Sequence, residues 1–467
     1  MATQKLRGKD LDSIGFVTSK SKSMALAAVQ KHYKHHSKGE KLSLLKDVLL
    51  NADKYTDHEV FQKLSEEFLL LPEEEIKAEI ELRNENVEYQ MYGKQYISDS
   101  AKSQMDNAMR LPISVKGALM PDAHHGYGLP IGGVLASKNS VIPYGVGVDI
   151  GCRMSLTLYD VRPNYLDRYE YQLSEGLKAN TRFGTGEGFD EYQEDDLFDR
   201  QEFREIPFLA PLLNKARKQI GSSGSGNHFV EYGKVVLESG NNLGVEAGEY
   251  VGVLAHSGSR GLGANIARHY TEIAQQQCLL PQEVKHLAWL DLNTDVGSEY
   301  WLAMNLAGDY AKACHDHIHR RLAKVLGAKP ILKVENHHNF AWKEMIDGAE
   351  LIVHRKGATP AHTGELGIIP GSMATPGYIV SGKGNEHSLF SASHGAGREL
   401  SRTKARNSLT RSELDKLLKK ERIKLIGGGI DEAPMAYKNI DDVLNAQKNL
   451  VNVEGKFYPR IVRMDKC

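Results

Sequence analysis

ALMPDAHHGYGLPIGGVLASKNSVIPYGVGVDIGCRMSLTLYD, residues 118–160, is a succession of short apolar runs cut by Gly and Pro. Runs of that length between turn residues read as strands and tight turns. The same texture returns over 221–261 and 331–394. Between these stretches, 160–220 is acidic and partly aromatic, reading as helices and a surface insertion, and 262–327 reads as helices. Residues 1–90 look helical and polar. There Thr56 and Glu59 suggest a capping box ahead of Val60, Leu64 and Phe68, and Pro72 with Glu73–Glu75 suggests another helix start. Near the other end, Thr410 and Glu413 cap a helix expected to run through Ile423. Strand-rich and helical stretches interleave without a repeat. Chemistry-bearing segments run from 122 to the C-terminus, so one large interdigitated domain behind a helical N-terminal layer is expected.

Composition narrows the function classes. The 467 residues carry 59 Lys and Arg against 60 Asp and Glu, a net charge of −1, which excludes a globally basic nucleic-acid coat but not a local basic cleft. Hydrophobic residues at 41% and charged residues at 25% are those of an ordinary globular protein. The four cysteines, Cys152, Cys278, Cys314 and Cys467, form no CxxC, so a disulfide scaffold is not expected. MATQKLRGKDLDSIGF shows no apolar leader, and no run suits a bilayer span; a cytoplasmic location is expected.

Five short constellations carry chemistry. Asp149 and Cys152 lie three apart in a glycine-rich turn, either facing one ion or serving as a turn Asp beside a small buried Cys. GSSGSGNHFVE (221–231) runs a phosphate-compatible loop into Asn227, His228 and Glu231. HSGSRG (256–261) sets His256 at the end of the strand-like run VGVLA, with Arg260 beside it. NHHN (336–339) follows ILKV. SASHGAGR (391–398) places His394 before two glycines. Asp149, Cys152, His228, His256 and His338 together make five metal-capable groups, more than one tetrahedral zinc uses, which favours two metals bridged by Cys152. A competing cluster, Cys314-His-Asp-His-Ile-His319, puts His315 and His319 on one helix face, but it lacks a glycine loop and reads as a structural, solvated face. Between 398 and 424, ten basic side chains face four acidic ones, either a solvated helix face or a polyanion contact.

PDAHHGYGLPIGGVLA, GVGVDIGC, SGNHFVE, HSGSRG, NHHN, RKGA, PGSM and SHGAGREL, in this order, resemble the RtcB family of RNA-splicing ligases. The resemblance spans roughly 110 to 467. It implies an α+β, RtcB-like fold of mixed sheets with surrounding helices, with residues 1–100 as a helical segment of the same fold and 101–467 as the catalytic domain. It also implies a GTP- and Mn2+-dependent ligase that joins an RNA 3′-phosphate or 2′,3′-cyclic phosphate to a 5′-hydroxyl, in tRNA splicing or RNA repair. By motif, His394 resembles the nucleophile that takes GMP, and Asp122 an active-site aspartate. Asp149, Cys152, His228, His256 and His338 resemble ligands of two Mn2+ ions. Asn227, Phe229, Glu231, Asn339, the Pro370-Gly371-Ser372-Met373 loop, Gly395, Ala396, Gly397, Tyr437 and Lys466 resemble nucleotide contacts. An archease-type activating protein and a monomeric state are the partner expectations. His125 adds a second histidine before the Gly-Tyr-Gly, Gly377 stands where the family often has serine, and the chain ends Lys466-Cys467 in place of Lys-Gly. A metal-dependent RNA phosphatase or nuclease is the alternative; it needs the metal ligands and has no use for His394.

Overall fold

The computed structural model of the chain describes residues 6–16, 18–69 and 80–465. Helices α1 (Gly8–Asp12), α2 (Ser19–His32), α3 (Lys38–Leu50) and α4 (Gln62–Leu69) pack around a core made of residues 6–68 alone. Thr56 does not cap α4. Its hydroxyl donates to Asp53 O in the preceding 3-10 turn, and the helix starts only at Gln62, whose N–H bonds His58 O. Leu64 and Phe68 nevertheless face the core as their spacing requires. The expected helix start at Pro72 lies outside the described residues. Helix ends at Leu69 among the described part of 1–90, since 80–89 contains none.

Two sheets carry the remainder. The first runs β1 (Gln90–Met91), β2 (Ser114–His124), β3 (Ile131–Ser137), β11 (Ala349–Lys356), β10 (Asn339–Ile346), with α5 (Asp99–Met109) against β2. The short pair β4 (Ser140–Val141) and β8 (Leu290–Asp291) stands beside it. The second runs β13 (Leu366–Ile369), β14 (Gly377–Gly382), β17 (Val451–Met464), β6 (Phe229–Leu237), β7 (Gly248–Ser257), β5 (Arg153–Tyr159), β9 (Pro330–His337), with β16 (Lys424–Ile426) parallel to β17. Its outer strands meet through a side chain: Asn336 Oδ1 accepts from Ile368 N at 2.8 Å, which bends the sheet almost into a barrel. A second short pair, β12 (Ala358–Pro360) with β15 (Ser391–Ser393), leads to His394.

Period-two alternation explains the curvature. Met154, Leu156 and Leu158 of β5 fill the inside of the second sheet with Leu254, Val334, Ile379 and Phe457. On the outside, Val251, Val253 and Ala255 of β7 meet Ile318 and Leu322 of the 32-residue helix α12 (Asp295–Leu326). The acidic stretch expected to hold helices contains α6 (Asn164–Arg168), α7 (Glu170–Asn180), α8 (Glu202–Glu205) and α9 (Leu213–Gln219). Then come α10 (Arg260–Gln277) and the 3-10 turn Lys285–Leu287, numbered α11, which precedes β8 and α12. After β15 come α13 (Arg402–Ser408) and α14 (Arg411–Lys420), the latter starting at the expected Thr410–Glu413 capping box but ending at Lys420, short of Ile423. Among the described residues no helix is long and apolar enough to cross a membrane.

Candidate active site

Strand β9 of the second sheet passes to β10 of the first through a single residue, His338. Register then gathers the other groups. Met154 pairs with His256, His256 with Phe229, and Arg153 with His337. Cys152, His228 and His338 therefore each sit one step beyond a ladder at the same sheet end. The Asp149–Cys152 turn needs glycine at 151, where φ is +69° and a Cβ would lie 2.8 Å from Gly308 Cα of α12.

Five donors converge there. Cys152 Sγ lies 3.4 Å from His228 Nε2 and 3.2 Å from His256 Nε2, and the last is 3.2 Å from His338 Nε2. Asp149 Oδ2 is 3.1 Å from His228 Nε2 without hydrogen-bond geometry, while Oδ1 accepts from Ser259 N at 3.0 Å. The sulfur is thus shared between an Asp149–His228 side and a His256–His338 side. His256 Nδ1 donates to Asn227 O at 3.1 Å, which leaves the Nε2 lone pair aimed at the cluster. Burial pushes His256 down to about 3 and His338 well below the usual imidazole range, so both are neutral ligand forms. Burial alone would raise Asp149, but His228 outweighs it and leaves the carboxyl at about 2. Burial and the Asp149 charge push the Cys152 thiol up; a bound cation reverses that balance. Asp149 Oδ2 and His338 Nδ1 are buried without a hydrogen-bond partner, and the bonds and ion pairs that the five make among the described residues involve no Lys or Arg side chain. Imidazole, thiolate and carboxylate with no side-chain cation among them fit a first-row divalent ion.

His394 stands beside this cluster, its ring centroid 5.0 Å from that of His338. Its Nδ1 lies 2.7 Å from Asp122 Oδ2, and the same oxygen accepts from His394 N at 3.2 Å and Gly395 N at 3.3 Å. Asp122 is fully buried. Burial would raise its pKa, but the hydrogen bond and charge of His394 and the charge of Lys438 hold it low. Nδ1 is therefore the protonated nitrogen, and Nε2 carries the free lone pair. Gly397 sits at φ +75° where a Cβ would meet Asp122 O at 2.1 Å. These groups open onto a cavity of about 920 Å³.

Most of the nucleotide-contact residues expected from sequence line that cavity: Asn227, Phe229, Glu231, the Pro370–Met373 loop, Gly395–Gly397 and Tyr437. Burial pushes Glu231 well above the usual carboxylate range. Ser372 N donates to Thr375 Oγ1 at 2.7 Å, which closes the loop into a turn. Gly377 also lines the cavity, and a Cβ there would meet Pro370 Cα at an ordinary 3.4 Å. Asn339 does not line it. Its Nδ2 donates to Asp149 O at 3.3 Å and its Oδ1 accepts from Gly357 N at 2.9 Å, so it braces the ligand turn. Lys466 lies outside the described residues.

Other assignments change in the structure. His315 and His319 are buried, not solvated: His315 Nε2 donates to Ser257 O at 3.1 Å, and His319 Nδ1 pairs with Thr157 Oγ1 at 2.8 Å. They tie α12 to the strands behind the cluster, so their role is structural. The basic stretch splits. Arg402 and Arg406 pair with buried Asp431, and Arg398 Nη1 lies 3.3 Å from Glu432. Lys416, Lys419 and Lys420 stay exposed on α14. Sequence reasoning missed Lys438, which donates to Pro121 O at 3.1 Å and Ala123 O at 2.8 Å and so clamps both sides of Asp122. It also missed His124, whose Nδ1 lies 3.1 Å from Asp122 O. His124 was visible in the PDAHHGYG motif; nothing local marked Lys438.

The model of the family described as tRNA-splicing ligase RtcB matches residues 104–208 and 209–465. The chain is similar to the RNA-splicing ligase RtcB of Escherichia coli strain K12, 31% identical over 407 residues, covering 80% of this chain and 96% of that protein. It is also similar to the tRNA-splicing ligase RtcB of Methanococcus maripaludis, 32% identical over 421 residues, covering 74% of this chain and 87% of that protein. With its site built on the same ordered motifs, this chain belongs to the RtcB family of RNA ligases.

Proposed function

We propose that this RNA ligase uses GTP and two Mn2+ ions to join an RNA 3′-phosphate, or a 2′,3′-cyclic phosphate after hydrolytic opening, to a 5′-hydroxyl through guanylylated His394. The observation that carries this is the Asp122–His394 pair at 2.7 Å, on the wall of the cavity and next to His338. A phosphatase or nuclease has no use for a tautomer-fixed imidazole at that place.

His394 Nε2 attacks the α-phosphorus of GTP, and the bond to the β-phosphate oxygen breaks to release pyrophosphate. Asp122 holds Nδ1–H and stabilises the imidazolium character that develops. The RNA 3′-phosphate then displaces His394 from phosphorus, leaving a guanylylated 3′ end. The 5′-hydroxyl attacks that end's RNA phosphorus and GMP leaves. Asp149, Cys152 and His228 would hold one metal, and Cys152, His256 and His338 the other; such ions polarise phosphoryl oxygens and offset leaving-group charge. Glu231 accepts the donors of the guanine edge, Phe229 and Asn227 flank the base, and the Pro370–Met373 and Gly395–Gly397 loops approach the phosphates. Tyr437 and Lys466 complete the nucleotide contacts. The enzyme acts as a cytoplasmic monomer, with tRNA halves or damaged RNA as substrate and an archease-type protein as activator.

The test is His394→Ala incubated with labelled GTP and Mn2+. No acid-labile GMP adduct is expected, while RNA already carrying a guanylylated 3′ end is still sealed. A persisting adduct, or joining by the variant of RNA whose 3′-phosphate has not been activated beforehand, would sink the assignment of His394.

A further inference from the structure

Residues 6–69 take no part in the site described above. The family match begins at residue 104, and the Escherichia coli K12 relative uses 96% of its own length to cover 80% of this chain. The additional part is built as a packed unit. Leu11, Leu45, Val48 and Phe61 are fully buried in the core of residues 6–68. Phe16 meets Phe68 edge-on at 5.1 Å, and Tyr33 stacks on Phe61 at 5.5 Å.

Its charge is uneven. From Ser13 to Gly39 there is no acidic residue, while Lys20, Lys22, Lys31, His32, Lys34, His35, His36 and Lys38 all fall there. Lys20, Lys22 and Lys38 are neutralised by Glu67, Asp12 and Asp10. Lys31, His32, Lys34, His35 and His36 are exposed and form no ion pair among the described residues. They crowd one corner, the end of α2 and the turn into α3. The C-terminal dipole of α2 accounts for Lys31 and His32, because cations are favourable there. It does not account for Lys34, His35 and His36. These precede Ser37, the N-cap of α3, where the dipole is positive and the Lys34 ammonium is unfavourable. Sequence-local stability therefore opposes the cluster, and an external polyanion relieves it. The exposed face of α2 leading to the corner carries Ser23, Ala27 and Gln30, with no bulky apolar side chain to enter a lipid layer.

We infer that the Lys31–His36 corner is an accessory contact for the phosphate backbone of RNA, holding the substrate outside the reaction cavity. The inference rests on the RNA-ligase reading for the identity of the polyanion. It contributes binding and no chemistry.

The experiment uses the full chain, a fluorescent hairpin RNA with a 3′-phosphate, and Lys31→Ala/Lys34→Ala, with Lys34→Glu as a second variant. Losing two phosphate contacts should flatten the dependence of log affinity on log salt by about 1.4–1.8. The Michaelis constant for RNA should rise several-fold, while kcat at saturating RNA, the GMP adduct and the circular dichroism spectrum stay as in the parent. Parental affinity and salt slope in both folded variants would overturn the proposal, as would unchanged RNA binding with lost binding to phosphatidylserine vesicles. A parent that binds RNA but neither takes up GMP nor seals would instead refute the ligase reading, leaving the corner to be judged by its own salt slope.

Discussion

Asp122→Asn isolates the charge behind His394. A carboxylate-to-amide change behind a catalytic histidine can reverse the tautomer, and where it does the loss is about 10⁴-fold. Here reversal is opposed. Asp122 Oδ2 accepts not only from His394 Nδ1 but from two backbone donors, His394 N and Gly395 N. An amide nitrogen in that place would face all three donors, so the amide oxygen stays there and Nδ1 keeps its proton. What is lost is the negative charge. Two unit charges about 4 Å apart interact by about 4 kcal/mol at an effective dielectric constant of 20, which corresponds to about 10³-fold in rate. The amide nitrogen takes the position of Asp122 Oδ1, which is buried without a partner, at a cost of about 1–3 kcal/mol in stability. The assay is single-turnover formation of the GMP adduct beside a thermal melt. A rate within tenfold of the parent in a folded variant would show that the charge does not act on His394. A loss well beyond 10⁴-fold would show that the tautomer reverses after all.

Glu231 lies in the cavity with its pKa raised by burial, and guanine donors lower it again, so GTP binding should release a proton and tighten as pH rises. Glu231→Gln should remove that pH dependence and reduce the preference for GTP over ATP by about 10²-fold or more, as read by titration calorimetry and a competition assay; unchanged selectivity would place guanine recognition elsewhere. Glu344 is held at about 2, because His362 and the buried Arg355 outweigh the upward push of burial. Its contribution is present above its ordinary 4.5 and disappears as pH falls toward 2, about 3 kcal/mol across that window. Glu344→Gln should flatten the acid limb of the melting-temperature profile, and an unaltered limb would count against this pair as its source.

What the sequence revealed and what it hid follow from the range over which each feature is decided. Short apolar runs between glycines are local, so β2, β3 and β5 were legible. The metal-capable groups were legible because each stands at a strand end in a glycine-rich turn. Their mutual distances were not, since Cys152 meets His256 only through the register of β5 with β7. Thr56 misled because a Thr followed three residues later by Glu also fits a 3-10 turn. His315 and His319 looked solvated because Lys312, Asp316 and Arg320 share their helix, whereas packing of α12 against β5 and β7 decides which face is inside. Asn339 was named by motif alone, and its bonds to Asp149 O and Gly357 N follow from the β9–β10 connection, which no spacing encodes. Lys438 reaches Asp122 across more than 300 residues of chain, a relation no spacing encodes.

Strand β17 has a consequence for biosynthesis. It lies between β14 and β6, and Pro459, Val462 and Met464 supply part of the cavity wall. Translation delivers β6 more than 200 residues before this strand. A polypeptide abandoned on the ribosome before Val451 leaves the facing edges of β6 and β14 unpaired, the kind of surface that recruits chaperones and proteases. Such a fragment also lacks one wall of the cavity beside His394. Release of the cavity wall by the ribosome is thus separated from that of the β6 wall by the synthesis of more than 200 residues.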